Sequence, residues 1–216
     1  MNGKSQSSAA VLDAPVGRRE RNAERKRDAI LGGARDVFMT HGFGGASMDA
    51  IAEAAGVSKM TLYRYFDSKE ALFEGLIGAM CERVLERDPE APLDNLPPQQ
   101  ALSRFARQLL RTVYAPETLA LHRIVLAEVT RFPELGILFY RSGPERNIEA
   151  LADYLAANAG HPALDVGDPR KAAEEFFELA RGYTHLRLLL GLEPPPGEAA
   201  VAAQVDRAVA RFLRKG

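Results

Sequence analysis

Apolar side chains recur along most of this chain at the three-and-four spacing of helices, and no stretch alternates as a strand does. The first stripe, Ile30, Leu31, Ala34, Val37 and Phe38, lies on one helical face. His41-Gly42 ends it, because glycine accepts the left-handed conformation of a helix stop. Ser47 is placed to cap a short second helix with Met48, Ile51, Ala52 and Ala55 on one face, and Asp49 stands in the first turn where the helix dipole favours a carboxylate. Gly56 permits a tight turn. Ser58 then caps a third helix, and Val57 sits where a hydrophobic staple to Leu62 sets the angle of approach. Two short helices joined in this way form a helix-turn-helix. Asp67-Ser68-Lys69-Glu70 has the form of a capped start, followed by a long helix with Leu72, Phe73, Leu76, Ile77, Met80, Val84 and Leu85 as its stripe. Prolines 89, 92, 97 and 98 break it.

Beyond the prolines the pattern predicts helices over about 98–114, 117–131, 134–158, 169–191 and 198–214. Gly143-Pro144 predicts a kink in the third of these, and residues 193–197 form a proline-rich turn before the last. The fold class is therefore all-α, with about nine or ten helices. Up to about Gly17 the chain is Ser/Ala-rich and aperiodic. The expected division is a disordered basic arm at 1–19, a helix-turn-helix unit at 20–67 and a helical bundle at 68–216.

Composition narrows the function classes. At 216 residues the chain has room for one substantial core or two modest ones, and 46% hydrophobic with 26% charged residues excludes wholesale disorder. The lack of a long apolar run or a secretory opening leads to the expectation of a soluble, cytoplasmic protein with no membrane partner. Cys81 is the single cysteine, so no internal disulfide forms, and no Cys/His spacing points to a metal or cofactor. Neither a glycine-rich phosphate loop, a nucleophile elbow, an HExxH motif nor an acidic metal cluster is present, which leaves an enzyme without a motif. Glu174-Glu175 are adjacent on a helix and face different directions. The net charge of −1 hides an asymmetry: residues 1–69 carry 11 Lys and Arg against 8 Asp and Glu, and residues 70–216 carry 17 against 21. A basic end and an acidic remainder fit a chain with one DNA-facing end.

With Leu62 and Phe66 on the buried side of the third helix, Met60, Tyr63 and Arg64 point away, flanked by Lys59 and Thr61. That outward face suits a DNA groove. The string GVSKMTLYRYFDSKEALF, with Ala34, Phe38, Gly42-Phe43, Ser47, Ile51-Ala52 and Ala55-Gly56 before it, resembles the recognition region of the TetR family of bacterial regulators. The later string LHRIVLAEVTRFPELGILFYRSGPERNIEALADYL resembles the sensing domains of AcrR-type or AefR-type members. The resemblance implies an N-terminal three-helix DNA-binding domain and a C-terminal bundle that binds ligand and dimerises. It implies phosphate contacts from Ser47, Thr61, Tyr65 and Lys69, the last at the start of the fourth helix. Lys59, Met60 and Tyr63 then meet base edges, and Arg64 reaches either a base or a phosphate. Ser58, at the head of the recognition helix, completes this set. The six basic residues within 18–27 lie along the backbone, enter the minor groove or form a solvated tail.

A homodimer follows from the small reach of one recognition helix, because two-fold proteins read palindromes. Its interface is expected on the last two helices, which carry Phe176, Phe177, Ala180, Tyr183, Leu186 and Leu190, then Val201, Val205, Val209, Phe212 and Leu213. His122, Glu128, Tyr140, Arg181 and His185 are polar positions within apolar periodicity and are candidates for contacts to a small-molecule effector in a mostly apolar pocket. The resulting expectation is a repressor released from double-stranded operator DNA by that effector. The rival is an interaction protein of the same fold without operator binding.

Overall fold

The computed structural model describes residues 17–85 and 96–213, whose regular structure is wholly helical. Its elements are α1 (Arg18–Gly45), α2 (Met48–Ala54), α3 (Lys59–Tyr65), α4 (Lys69–Leu85), α5 (Pro98–Val113), α6 (Pro116–Glu128), α7 (Pro133–Tyr140), a π-helical turn (Arg141–Glu145), α8 (Arg146–Ala157), α9 (Pro169–Leu189) and α10 (Glu198–Phe212). Most of the expected arm, and prolines 89 and 92, lie outside the described residues, as do the side chains of residues 80–85, Cys81 among them. Arg18 and Arg19, placed in the arm by the sequence pattern, already belong to α1. The basic stretch is thus the opening of a helix, and its residues from 20 to 27 are exposed.

Local chemistry explains most boundaries. Four helices open on proline, at positions 98, 116, 133 and 169, where the missing N–H has no partner to lose. Asp168 adds a side-chain cap to α9, accepting from the N–H groups of Arg170 at 3.0 Å and Lys171 at 3.2 Å. The helix predicted over 134–158 is divided into α7 and α8 by the π-helical turn at Pro144, whose ring removes a ladder hydrogen bond and widens the coil.

One break was not anticipated. α9 departs from helical geometry at Gly182 (φ 53, ψ −162), a conformation that favours glycine. The Ala180 and Arg181 carbonyls next to the break find other partners. Gln204 of α10 reaches them at 2.7 Å and 3.0 Å, and the Tyr114 hydroxyl donates to the Arg181 carbonyl at 2.8 Å. At the far end of α9, Arg123 donates to the Leu188 and Leu189 carbonyls at 2.7 Å and 2.8 Å, a side-chain cap on the last turn of the helix.

Two hydrophobic cores result. One joins α1, α2 and α3 to the first half of α4 and to Leu121, Val125 and Leu135 of α6 and α7. The other packs α5, α8, α9 and α10 around Phe105, Leu151, Phe176 and Val205. Packing is therefore continuous across residue 67, and α4 belongs to both halves of the chain. The surplus apolar surface assigned to the last two helices is also smaller than expected: Phe176, Phe177, Ala180, Val205, Val209 and Phe212 are consumed inside the protomer. Tyr183, Leu186 and Leu190 remain outward.

α1 and α2 touch at Gly33, where a Cβ would stand 2.7 Å from the backbone nitrogen of Ala55. Gly33→Ala should therefore cost about 1–3 kcal/mol, as overpacking at a rigid backbone contact does. At its neighbour Gly32 a Cβ meets nothing within 4 Å. Gly32→Ala should be neutral or stabilise by up to about 1 kcal/mol through helix propensity. Denaturant midpoints of the two variants decide the matter.

Candidate nucleic-acid interface and ligand cavity

The second and third helices are fixed by their caps. Ser47 Oγ accepts from the Ala50 N–H at 3.2 Å, and Ser58 Oγ accepts from the Thr61 N–H at 3.1 Å. Ser58 Oγ also lies 2.9 Å from Thr61 Oγ1, so both hydroxyls serve the start of α3. With Leu62 fully buried and Phe66 nearly so, the opposite face of α3 turns to solvent. Met60 is 84% exposed, a large apolar side chain with no internal reason to be outside. Tyr63 and Arg64 are exposed beside it, and Thr61 and Tyr65 are half-buried. The Arg64 guanidinium lies over the Tyr65 ring, 5.5 Å from its centroid. Lys59 makes a 2.7 Å ion pair with Asp49 of α2, which links the two helices and raises the lysine above its ordinary pKa through that hydrogen bond.

Lys69, for which the resemblance implies a phosphate contact, holds an internal contact as well. Its ammonium donates to the Phe43 carbonyl at 3.0 Å and lies over the rings of Phe43 and Phe132, 4.6 Å and 5.6 Å from their centroids. It ties the start of α4 to the end of α1.

A cavity of about 80 Å³ opens between α4, α5, α6, the α7–α8 turn and α9. Its walls are mostly apolar, with Ile77, Leu109, Val113, Leu121, Phe139 and Phe177 among them. Of the five predicted polar groups, His122 and Arg181 line it directly. His185 stands behind His122, its Nε2 3.4 Å from His122 Nδ1. Tyr140 lies in an outer cleft with Glu174, Glu175 and Glu178, on the far side of Phe139, Pro144, Phe177 and Arg181. Glu128 lies away from both spaces. It is the last residue of α6, where its carboxylate accepts from the Gly44 N–H at 3.5 Å, against the end of α1. Periodicity placed Glu128 on an inward face, but that end of α6 packs on the N-terminal core. Sequence reasoning missed Thr118 and Asn147, both buried and both lining the cavity. Each interrupts an apolar face, the same signal that selected His122, so they were within reach of it.

Burial pushes the His122 pKa down to about 3, helped by His185 and Arg181, and the His185 pKa down to about 4, helped by Arg181. Both imidazoles are neutral at neutral pH. Among the described residues no group of three or more His, Cys, Asp or Glu is arranged to hold a metal ion, and no helix is long and apolar enough to cross a membrane.

Comparison with known proteins adds family-level likeness. Residues 30–76 match the profile of bacterial regulatory proteins of the tetR family, and residues 100–215 match that of the C-terminal domain of AefR-like transcriptional repressors. The HTH-type transcriptional regulator RutR of Escherichia coli (strain K12) is 51% identical over 58 residues, 27% of this chain and 27% of RutR. The match thus spans about a quarter of that relative's length. The solved structure of the flavonoid-responsive regulator FrrA is similar at 43% identity, covering 88% of this chain and 96% of that one with a TM-score of 0.70. A protein from Mesorhizobium loti MAFF303099, described as a TetR-family transcriptional regulator, is similar at 27% identity over 88% and 96% of the two chains, with a TM-score of 0.72.

The histidine pair has a measurable signature. Each folded pKa lies below the ordinary histidine value of about 6.5, so between there and about 3 or 4 the unfolded chain binds protons that the folded chain refuses. Stability from this pair is complete above about pH 6.5 and is lost as pH falls through that window. The double variant His122→Gln/His185→Gln should lose less stability than the parent between about pH 7 and 5. Parallel denaturant titrations that show equal losses exclude the assignment.

Proposed function

The chain belongs to the TetR family of DNA-binding transcriptional regulators, and we propose that it is a dimeric repressor released from a palindromic operator when a small, mostly apolar ligand enters the cavity beside α4. The observation that carries this reading is the double membership of α4. Its Leu72, Phe73 and Leu76 belong to the core that holds α3, while its Ile77 forms part of the cavity wall. A Cβ on Gly143, across that wall, would stand 3.1 Å from Ile77. A ligand that moves the wall therefore moves the helix from which the recognition helix is hung.

The cavity volume favours such a movement. About 80 Å³ is well below the several hundred Å³ that ordinarily enclose a drug-sized ligand, so occupation requires the walls to part. Ligand binding then stabilises a conformation with differently spaced recognition helices, and the operator stabilises the other. The Phe139 and Phe177 rings in the lining support an aromatic ligand, as does the 43% identity to a regulator described as flavonoid-responsive.

On the DNA side, Met60, Tyr63 and Lys59 meet base edges, Ser47, Thr61 and Tyr65 take phosphates, and Arg64 reaches one or the other. Ser58 serves as the cap that aims the helix. Lys69 acts through the joint to Phe43, and its ammonium has two further N–H donors with which to meet a phosphate. The dimer forms through the outward residues Tyr183, Leu186 and Leu190 of α9 together with α10.

Selection of the full chain on randomised duplex DNA, followed by sequencing, should recover a palindrome. Met60→Ala and Tyr63→Ala should abolish the enrichment while changing stability by no more than about 0.5 kcal/mol, the range of exposed positions. Lys69→Ala should lower both stability and operator affinity, because it loosens the joint. Enrichment of no sequence at low salt overturns the operator-binding reading and favours the interaction-protein rival.

A further inference from the structure

The polar equipment of the cavity is unusual in its charge. Arg181 is the single charged residue in the lining, and it forms an ion pair with Glu178 on the next turn of α9. The outer cleft adds Glu174 and Glu175 to that pair, and it shares the wall of Phe139, Pro144, Phe177 and Arg181 with the cavity. A ligand crossing this wall passes three carboxylates, of which Glu174 is paired with Arg170 and Glu178 with Arg181. Inside, the walls strip water from any charge it carries, at a cost that one already paired guanidinium does not repay.

His122 supplies the other observation. Its Nδ1 faces His185 Nε2 at 3.4 Å, and among the described residues its Nε2 has no hydrogen-bond partner. The ring is held at an angle of 71° to Phe139, with centroids 4.8 Å apart, and at 82° to His185 at 5.1 Å. His185 is itself anchored, stacked against Tyr114 at 6.4 Å. The mutual hydrogen bond permits two tautomer arrangements. When His185 donates to His122, the His122 Nε2 carries a proton and is a donor; when His122 donates, its Nε2 is an acceptor. A hydroxyl, which donates and accepts, satisfies either arrangement, and burial in both cases leaves the rings neutral.

We infer that the cavity selects an uncharged aromatic ligand carrying a hydroxyl group, hydrogen-bonded to His122 Nε2, with His185 as the positioning residue that holds the His122 ring. The inference rests on the reading of the cavity as the effector site and adds the chemical class of the effector. A phenol fits the arrangement; the matching carboxylate does not, since it meets the dry wall and a guanidinium already bound to Glu178.

The test is calorimetric titration of the full-length protein near neutral pH with three probes of one ring system: 2-naphthol, 2-naphthoate and naphthalene. The phenol should bind at least about tenfold more tightly than either of the others, the equivalent of one hydrogen bond gained and one desolvated charge avoided. His122→Phe should abolish the preference for 2-naphthol over naphthalene, whatever it does to the affinity of either. His185→Leu should weaken the phenol preference and shift the ¹⁵N resonances of the His122 ring, whereas His185→Gln, whose amide still reaches Nδ1, should restore both. Equal or tighter binding of 2-naphthoate overturns the inference and leaves the effector cavity standing; so does a wild-type protein that ranks naphthalene with 2-naphthol, a comparison that needs no variant to fold. Failure of all three probes to bind overturns the cavity reading together with the inference.

Discussion

The turn at Gly42 and the burial of Phe43 behind it hold this molecule together. A positive φ of 68° at Gly42 ends the regular coil of α1 and swings the chain inward. Phe43 then becomes fully buried, 5.7 Å from both Phe38 and Phe73 and 5.5 Å from Phe132. These four rings come from the first helix, the connecting helix and the segment just before α7. Each pair prefers offset or edge-on contact, so the cluster sets orientation as well as distance. Lys69 closes it from above through the Phe43 carbonyl and the two outer rings, and Glu128 closes it from the side through Gly44. With these contacts the recognition helix and the bundle cannot move as independent bodies.

The bundle is built with the opposite tendency near its cavity. Three features keep that region from regular helix packing: the π-helical turn at Pro144, the break at Gly182 and the narrow space between them. Each removes backbone or side-chain contacts that a continuous helix supplies. The losses are met by long polar side chains from elsewhere, Gln204 and Tyr114 at Gly182 and Arg123 at the end of α9. Hydrogen bonds of this kind fix a geometry yet exchange partners at modest cost, which leaves the wall able to yield. The rigid joint and the yielding wall meet on α4, at neighbouring turns of one helix.

Much of this was legible in the sequence. The caps at Ser47 and Ser58 and the stop at Gly42 act within four residues, and each appears where its chemistry placed it. The break at Gly182 escaped because the apolar period runs through it: Ala180, Leu186 and Leu190 continue the stripe, so nothing nearby marks the stop. The internal partner of Lys69 was not legible, because no local feature reveals a carbonyl 26 positions earlier. One rule selected His122, Arg181 and Glu128, of which the first two line the cavity and the third packs on the end of α1, since polarity inside an apolar stripe marks burial without saying against what.

The sequence by itself determined the helices, the capped helix-turn-helix and the outward face of Met60, Tyr63 and Arg64, because these depend on interactions within a turn or two of the chain. Only the tertiary structure decided which buried polar groups share a cavity, which apolar residues of α9 and α10 stay outside, and that α4 joins the N-terminal core to the cavity wall. Those facts depend on which faces of distant helices meet, and a helical stripe records that a face is covered but not by which partner.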